Sequence, residues 1–148
     1  MKILITAPYN EQGREKLATE LGEVIYKEWK EHGRAYNEDE LNELLDRCGA
    51  DALITEHDHV TAGVIHTHPN LQFIGVCRGT PSNVDLKAAR ECGIPVFHTP
   101  ARNAQAVAEM FLANVINLMR KTIPSWQVAD RSQLGRWRAY LLFAVQGQ

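Results

Sequence analysis

Three short segments of this chain gather side chains able to do chemistry. Arg78-Gly79-Thr80 follows an apolar run and precedes Asn83-Val84-Asp85. A glycine there permits a positive φ, which lets consecutive backbone N–H groups point into one concavity. A nearby helix start adds partial positive charge, and Arg78 offers a planar fork for a carboxylate. Together these suit a small organic anion. From the local pattern alone, a βα turn that merely needs a glycine is the simpler reading. The second segment, Thr55-Glu56-His57-Asp58-His59, crowds titratable groups at a strand end. His57 and His59 would share a face if the strand continued, and His66 and His68 make a second H-x-H pair. Neither pair has a strong zinc-site spacing, so a polar loop with solvated histidines is the reading. The third segment is His98-Thr99-Pro100-Ala101-Arg102-Asn103, followed by Val107-Ala108-Glu109. Pro100 stiffens the turn and Asn103 is placed to cap the next helix.

These segments need elements to hold them. Lys2–Thr6, Val24–Tyr26, Ala52–Thr55, Leu71–Val76 and Pro95–Phe97 are short apolar runs that read as strands. Helices alternate with them. Asn10 caps one that runs to about Leu21, with Leu17 and Leu21 on one stripe. Asn37 and Glu40 form a capping box before Leu41, Leu44 and Leu45, and Gly49 ends that helix. A short helix covers Thr61–His66. Asn83 caps another that runs to Cys92, and a long helix spans Asn103 to Arg120. Lys27–Ala35 reads as a polar loop. Strands alternating with helices predict a doubly wound, flavodoxin-like parallel five-stranded sheet over roughly the first hundred residues, followed by a long helix and an arm. Ligands in such sheets sit beyond the carboxyl ends of the strands, where all three segments fall.

Bulk properties narrow the function classes. The 148 residues are 45% hydrophobic and 23% charged, with a net charge of -2. That balance gives no electrostatic case for nucleic acid or an anionic membrane. Cys48, Cys77 and Cys92 make no CxxC, which points to reduced thiols and a cytoplasmic setting. The apolar N-terminal run is too short for a signal peptide.

The stretch from Leu71 to Glu109, with its Arg78-Gly79-Thr80 loop, Asn83-Val84-Asp85 and His98-Thr99-Pro100-Ala101-Arg102-Asn103…Val107-Ala108-Glu109, resembles the substrate-domain half of the NAD-dependent D-2-hydroxyacid dehydrogenases. That group includes phosphoglycerate, glycerate and formate dehydrogenases. The resemblance implies a substrate domain over residues 1–102, then an interdomain and dimerisation helix and arm over 103–148. It implies that Arg78, Gly79 and Thr80 offer amides to a substrate carboxylate, and that His57 or Glu56 meets the variable end of the substrate. Asn103 would lie at the hinge near cofactor and substrate. The implied substrate is a small 2-hydroxy or 2-keto acid, and the implied assembly is a homodimer through the 104–119 helix. NAD or NADP would serve the intact enzyme. None would bind this chain alone, because no G-x-G-x-x-G occurs in it. The catalytic arginine, histidine and acid of the family lie beyond residue 148 in this comparison, so the chain by itself is expected to be inactive. Two departures stand out. Many members carry a second glycine where this chain has Thr80, and the first signature position is usually Asn where this chain has His98. Phosphoglycerate dehydrogenases tend to meet the substrate phosphate with arginines in this loop, where this chain has Thr55 and His57 with Glu56 between them, which argues against 3-phosphoglycerate. The competing class is a stand-alone flavodoxin-like binding or dimerisation module. A phosphate- or flavin-binding regulator is disfavoured, because Ala7-Pro8-Tyr9-Asn10 makes no phosphate cradle.

Overall fold

Strand residues here alternate between two covered faces. Leu4, Leu53, Ile74 and Val76 turn to one face and Ile3, Ile5, Ala52 and Ile54 to the other, all of them buried. A strand buried on both sides belongs in a parallel sheet. The computed structural model describes residues 1–122. The elements run β1 (Lys2–Ile5), α1 (Glu11–Glu20), β2 (Glu23–Tyr26), α2 (Trp29–His32), α3 (Glu38–Cys48), β3 (Ala52–Thr55), α4 (Ala62–Thr67), β4 (Phe73–Val76), α5 (Leu86–Glu91), β5 (Val96–His98) and α6 (Ala104–Arg120). All strands pair in parallel in the order β2-β1-β3-β4-β5, the flavodoxin-like winding expected from the alternation. Contacts divide the chain after Arg102. No helix among the described residues is long and apolar enough to cross a membrane.

The first face carries the larger core. Leu41 and Leu45 of α3, Val64 and Ile65 of α4, and Ala88 and Ala89 of α5 pack on the Leu4–Leu53–Ile74 row. The second face receives Leu17 of α1 on Ile3, Ile5 and Ile54. Leu21, expected on the same stripe as Leu17, is the C-cap residue and is exposed. Toward β4 and β5 this face holds half-buried Phe73 against exposed Phe97, edge to face with centroids 6.2 Å apart.

Helix starts follow local hydrogen bonding in most places. Asn10 accepts from the Gly13 amide at 2.8 Å. Asn37 and Glu40 exchange both bonds of the capping box, each at 3.0 Å. Two starts within residues 1–102 differ from the sequence reading. Asp85, not Asn83, caps α5, accepting from the Lys87 and Ala88 amides at 3.0 Å. Asn83 instead turns its Nδ2 to the Asp58 carbonyl at 3.0 Å, while Val84 bridges Val60. The loop expected over Lys27–Ala35 contains the single turn α2, held to β1 by the Lys27 and Trp29 amides donating to the Ile5 and Thr6 carbonyls. Gly63, unfavourable inside a helix, is explained by Glu38, whose carboxylate occupies the place a Cβ would take.

Asp58 is the buried polar knot of this fold. It is fully buried and accepts from Thr6 Oγ1 at 2.5 Å, Thr55 Oγ1 at 2.7 Å and the Tyr36 amide at 2.8 Å. It thereby joins the ends of β1 and β3 to the segment between α2 and α3. Hydrogen bonds to a charged group contribute roughly 1.5–3 kcal/mol each, and a buried donor left unpaired is costly. Asp58→Ala is expected to lower unfolding free energy by about 3 kcal/mol or more; a urea midpoint close to the parent's would remove Asp58 from this role.

Glu40 gives a pH signature. The Arg34 fork (2.8 and 2.6 Å) and the Asn37 amide hold its pKa down to about 2, from an ordinary 4.5. A carboxyl depressed on folding stabilises above its unfolded-state pKa and loses that contribution as pH falls toward the folded value. Glu40→Gln should therefore be less stable than the parent at neutral pH. The gap should close between pH 4.5 and about 2, as read by denaturant midpoints across that window.

Candidate functional site

The carboxyl ends of β3, β4 and β5 lie side by side, so the loops that follow them meet. Backbone geometry laces two of these loops together. The Thr99 amide and hydroxyl both donate to the Arg78 carbonyl, at 3.0 and 3.3 Å. His98 Nδ1 lies 3.0 Å from the Gly79 carbonyl. The third loop is tied in by an ion pair, Arg102 Nη2 to Glu56 Oε1 at 2.9 Å. Arg78, Gly79, Glu56 and His57 are thus brought into one neighbourhood, with Thr80 exposed at its rim.

The two carbonyls of the 78–79 turn are taken, but its amides are not. Among the described residues no acceptor is found for the N–H of Arg78, Gly79 or Thr80. Backbone donors are obligatory hydrogen-bonding groups, so these three face solvent or a ligand. Arg78, half-buried, makes no ion pair among the described residues. Gly79 corrects one expectation. Positive φ among the described glycines belongs to Gly22, Gly33, Gly49 and Gly93, not to Gly79. A Cβ at Gly79 would meet only the Ala101 amide nitrogen and the Thr99 carbonyl, both at 3.9 Å, an ordinary contact. Neither backbone strain nor crowding demands glycine here. What the missing side chain leaves is open approach to the amides.

Glu56 is 8% exposed, and both its oxygens are engaged. Arg102 takes Oε1, and Trp29 Nε1 donates to Oε2 at 3.2 Å. His57 Nε2 lies 3.8 Å from Oε2, and its ring meets Trp29 edge-on at 5.3 Å. Sequence reasoning missed Trp29 and Arg102. Trp29 sits on the unexpected α2, and Arg102 read only as filler between Pro100 and Asn103. With Arg102 on it, Glu56 no longer presents a bare charge, which weakens the argument against a phosphate made from Glu56 alone. Burial, then the Glu56 charge, push the Cys77 thiol up, with Arg102 acting against them. A neutral thiol is a poor nucleophile. Cys77, His98 and Thr99 line a cavity of ≈ 140 Å³ together with Tyr9, Phe73 and Phe97. Burial first, then Cys77, raises the Tyr9 pKa, so its hydroxyl stays protonated.

Asn103 also departs from its expected role. It occupies the N-cap position of α6 with φ -111 and ψ 12 and makes no side-chain capping bond. An extended backbone is what turns a cap side chain back onto the first helical amides, and Asn103 lacks it. Ala101, two residues before, takes a left-handed φ of 58, a costly conformation for a residue with a Cβ. The second histidine pair diverges: His66 meets Glu91 at 4.0 Å and His68 meets Asp46 at 3.8 Å. No group of three metal-ligating side chains is found among the described residues.

Residues 3–134 match the catalytic domain of the D-isomer specific 2-hydroxyacid dehydrogenases, and the chain belongs to that family. Bacillus subtilis (strain 168) YoaD, provisionally named a 2-hydroxyacid dehydrogenase, is 59% identical over 127 residues, covering 86% of this chain and 37% of its own. D-3-phosphoglycerate dehydrogenase of Haemophilus influenzae is 40% identical over 88 residues, 59% of this chain and 21% of its own. The chain therefore spans well under half the length of these relatives. Among solved structures, the TT0316 protein of Thermus thermophilus superposes with a TM-score of 0.70 at 28% identity, over 89% of this chain and 41% of that one. An acyclic imino acid reductase, solved with NADPH and D-Arg, shares the fold with a TM-score of 0.71 at 21% identity, over 88% and 41% of the two chains.

The buried ion pair makes a stability prediction. Arg102→Ala strands the Glu56 charge in a place that excludes water, which is expensive. Because Arg102 is itself half exposed, the expected loss is about 2 kcal/mol rather than the full buried-pair figure. Glu56→Gln in the same background should recover part of it. A double-mutant cycle with no coupling would show that the pair holds nothing in place.

Proposed function

We propose that residues 1–102 form the substrate-holding wall of an NAD(P)-dependent 2-hydroxyacid dehydrogenase acting on a small 2-hydroxy or 2-keto acid. The observation that carries this reading is the run of amides at Arg78, Gly79 and Thr80. Among the described residues they have no acceptor, while the carbonyls beside them are tied to the His98–Thr99 strand end. Donors held in place this way cost little reorganisation when a carboxylate arrives. Arg78 adds charge and a second point of attachment. The variable end of the acid then faces His57 and Trp29, and Glu56 serves by holding Arg102 rather than by touching substrate. Asn103, with no capping bond to make, keeps its amide for the hinge side of the cleft.

The 148 residues contain no G-x-G-x-x-G, the fingerprint of the family's NAD-binding domain. Their part in the reaction is binding and orientation, and the nicotinamide supplies the hydride when it is bound. The apolar residues of α6, such as Phe111, Leu112 and Met119, are exposed and suit a homodimer through that helix. Cys48, Cys77 and Cys92 are free thiols, in keeping with a cytoplasmic setting.

The full-length gene product, assayed with a panel of 2-keto acids against NADH and NADPH, tests this reading. Turnover of at least one acid supports it, and no turnover with any of them overturns it. Gly79→Ala probes the amide loop itself. The fold tolerates a Cβ there, so the melting temperature should stay within about 2 °C of the parent. The added methyl crowds the approach to the amides, so KM should rise about tenfold. An unchanged KM would take the loop out of the site.

A further inference from the structure

We propose that His98 is a positioning residue: its imidazole holds the Gly79 peptide so that the free amides of Gly79 and Thr80 present themselves to the substrate carboxylate. This rests on the carboxylate-binding reading of that loop and goes further by naming what orients it. The geometry assigns the proton. A backbone carbonyl only accepts, so the 3.0 Å contact to Gly79 O requires Nδ1 to be the donor. The neutral ring is therefore held as the Nδ1–H tautomer, which leaves Nε2 as an acceptor without a partner among the described residues.

Two further observations give the contact its purpose. The adjoining carbonyl, of Arg78, already accepts from the Thr99 amide and hydroxyl. His98 is thus the second anchor of a two-residue turn. One anchor lets a peptide plane swing about it, whereas two fix the direction of the amides between and after them. His98 is also the last residue of β5, paired in register with Val76 of β4, so its own backbone is part of the sheet. A side chain mounted on a rigid element positions a loop more accurately than one mounted on another loop. The donor matters and the imidazole does not. Asn places an amide Nδ2–H at the same number of bonds from Cα as His places Nδ1–H, so Asn should serve in the same place.

The test uses the full-length protein in three forms: parent, His98→Ala and His98→Asn. Because His98 is exposed, neither variant should lose the fold, and matching melting curves check this. His98→Ala should raise KM for the best 2-keto acid about tenfold, with kcat within about threefold, and His98→Asn should return KM to within about twofold of the parent. An Ala variant equal to the parent overturns the proposal. So does an Asn variant as impaired as Ala, since the imidazole itself would then be needed. A nitrogen-15 spectrum of histidine-labelled protein reads the tautomer without reference to activity. The His98 signal, assigned by its loss in the variant, should show a protonated Nδ1 and a bare Nε2 when neutral. The opposite tautomer overturns the contact. If the parent turns over no acid while the Nδ1–H tautomer is present, the dehydrogenase reading fails. The anchoring of the turn then stands, and its assignment to a carboxylate falls.

Discussion

A carboxylate that folding removes almost wholly from water must be met by hydrogen-bond donors or by an opposite charge. Glu56 stands at the end of the central strand β3, and the cation that meets it is Arg102, from beyond the edge strand β5. To close that pair, residues 99–102 must cross the end of β4. The crossing brings Thr99 and Ala101 against Gly79 and fixes the three loops as one assembly. The left-handed Ala101 is part of the cost of that path.

The two acids of this region are satisfied in different ways, and each way suits its place. Asp58, deeper in the fold, is met by neutral donors from Thr6, Thr55 and Tyr36. It ties elements together without needing a cation in the core. Glu56, nearer the surface, is met by a half-exposed arginine and an indole N–H. Beneath them the sheet is a rigid base, since β1 and β3 are buried on both faces and β4 on one. On the proposed reading, the donors of these loops are oriented before any ligand arrives, which is where electrostatic binding gains most.

Local signals were legible wherever a few neighbouring residues satisfy each other. The Asn37–Glu40 capping box, the Asn10 cap and the five apolar strand runs fall where the sequence places them. The failures share a cause. Asn83 has the chemistry of a cap, but Asp58, from another part of the chain, takes its side chain, and Asp85 caps instead. Trp29–His32 has no side-chain cap and is held by the end of β1, which no local pattern announces. Asn103 sits in the cap position with the wrong backbone. The helix begins there all the same, because α6 is long and made largely of good helix formers.

The sequence by itself determined the winding of the sheet and the family. Each of these depends on apolar periodicity, turn residues and short motifs, whose physical partners lie within a few residues. Tertiary structure alone decided that Glu56 belongs to Arg102, 46 residues away, and that His98 reaches the Gly79 carbonyl, 19 residues away. It also decided that Gly79 is free of strain. The reason is that a buried charge or a peptide group takes whichever donor the fold brings within 3 Å or so. Chain distance does not enter that choice once the parallel sheet has set three strand ends side by side.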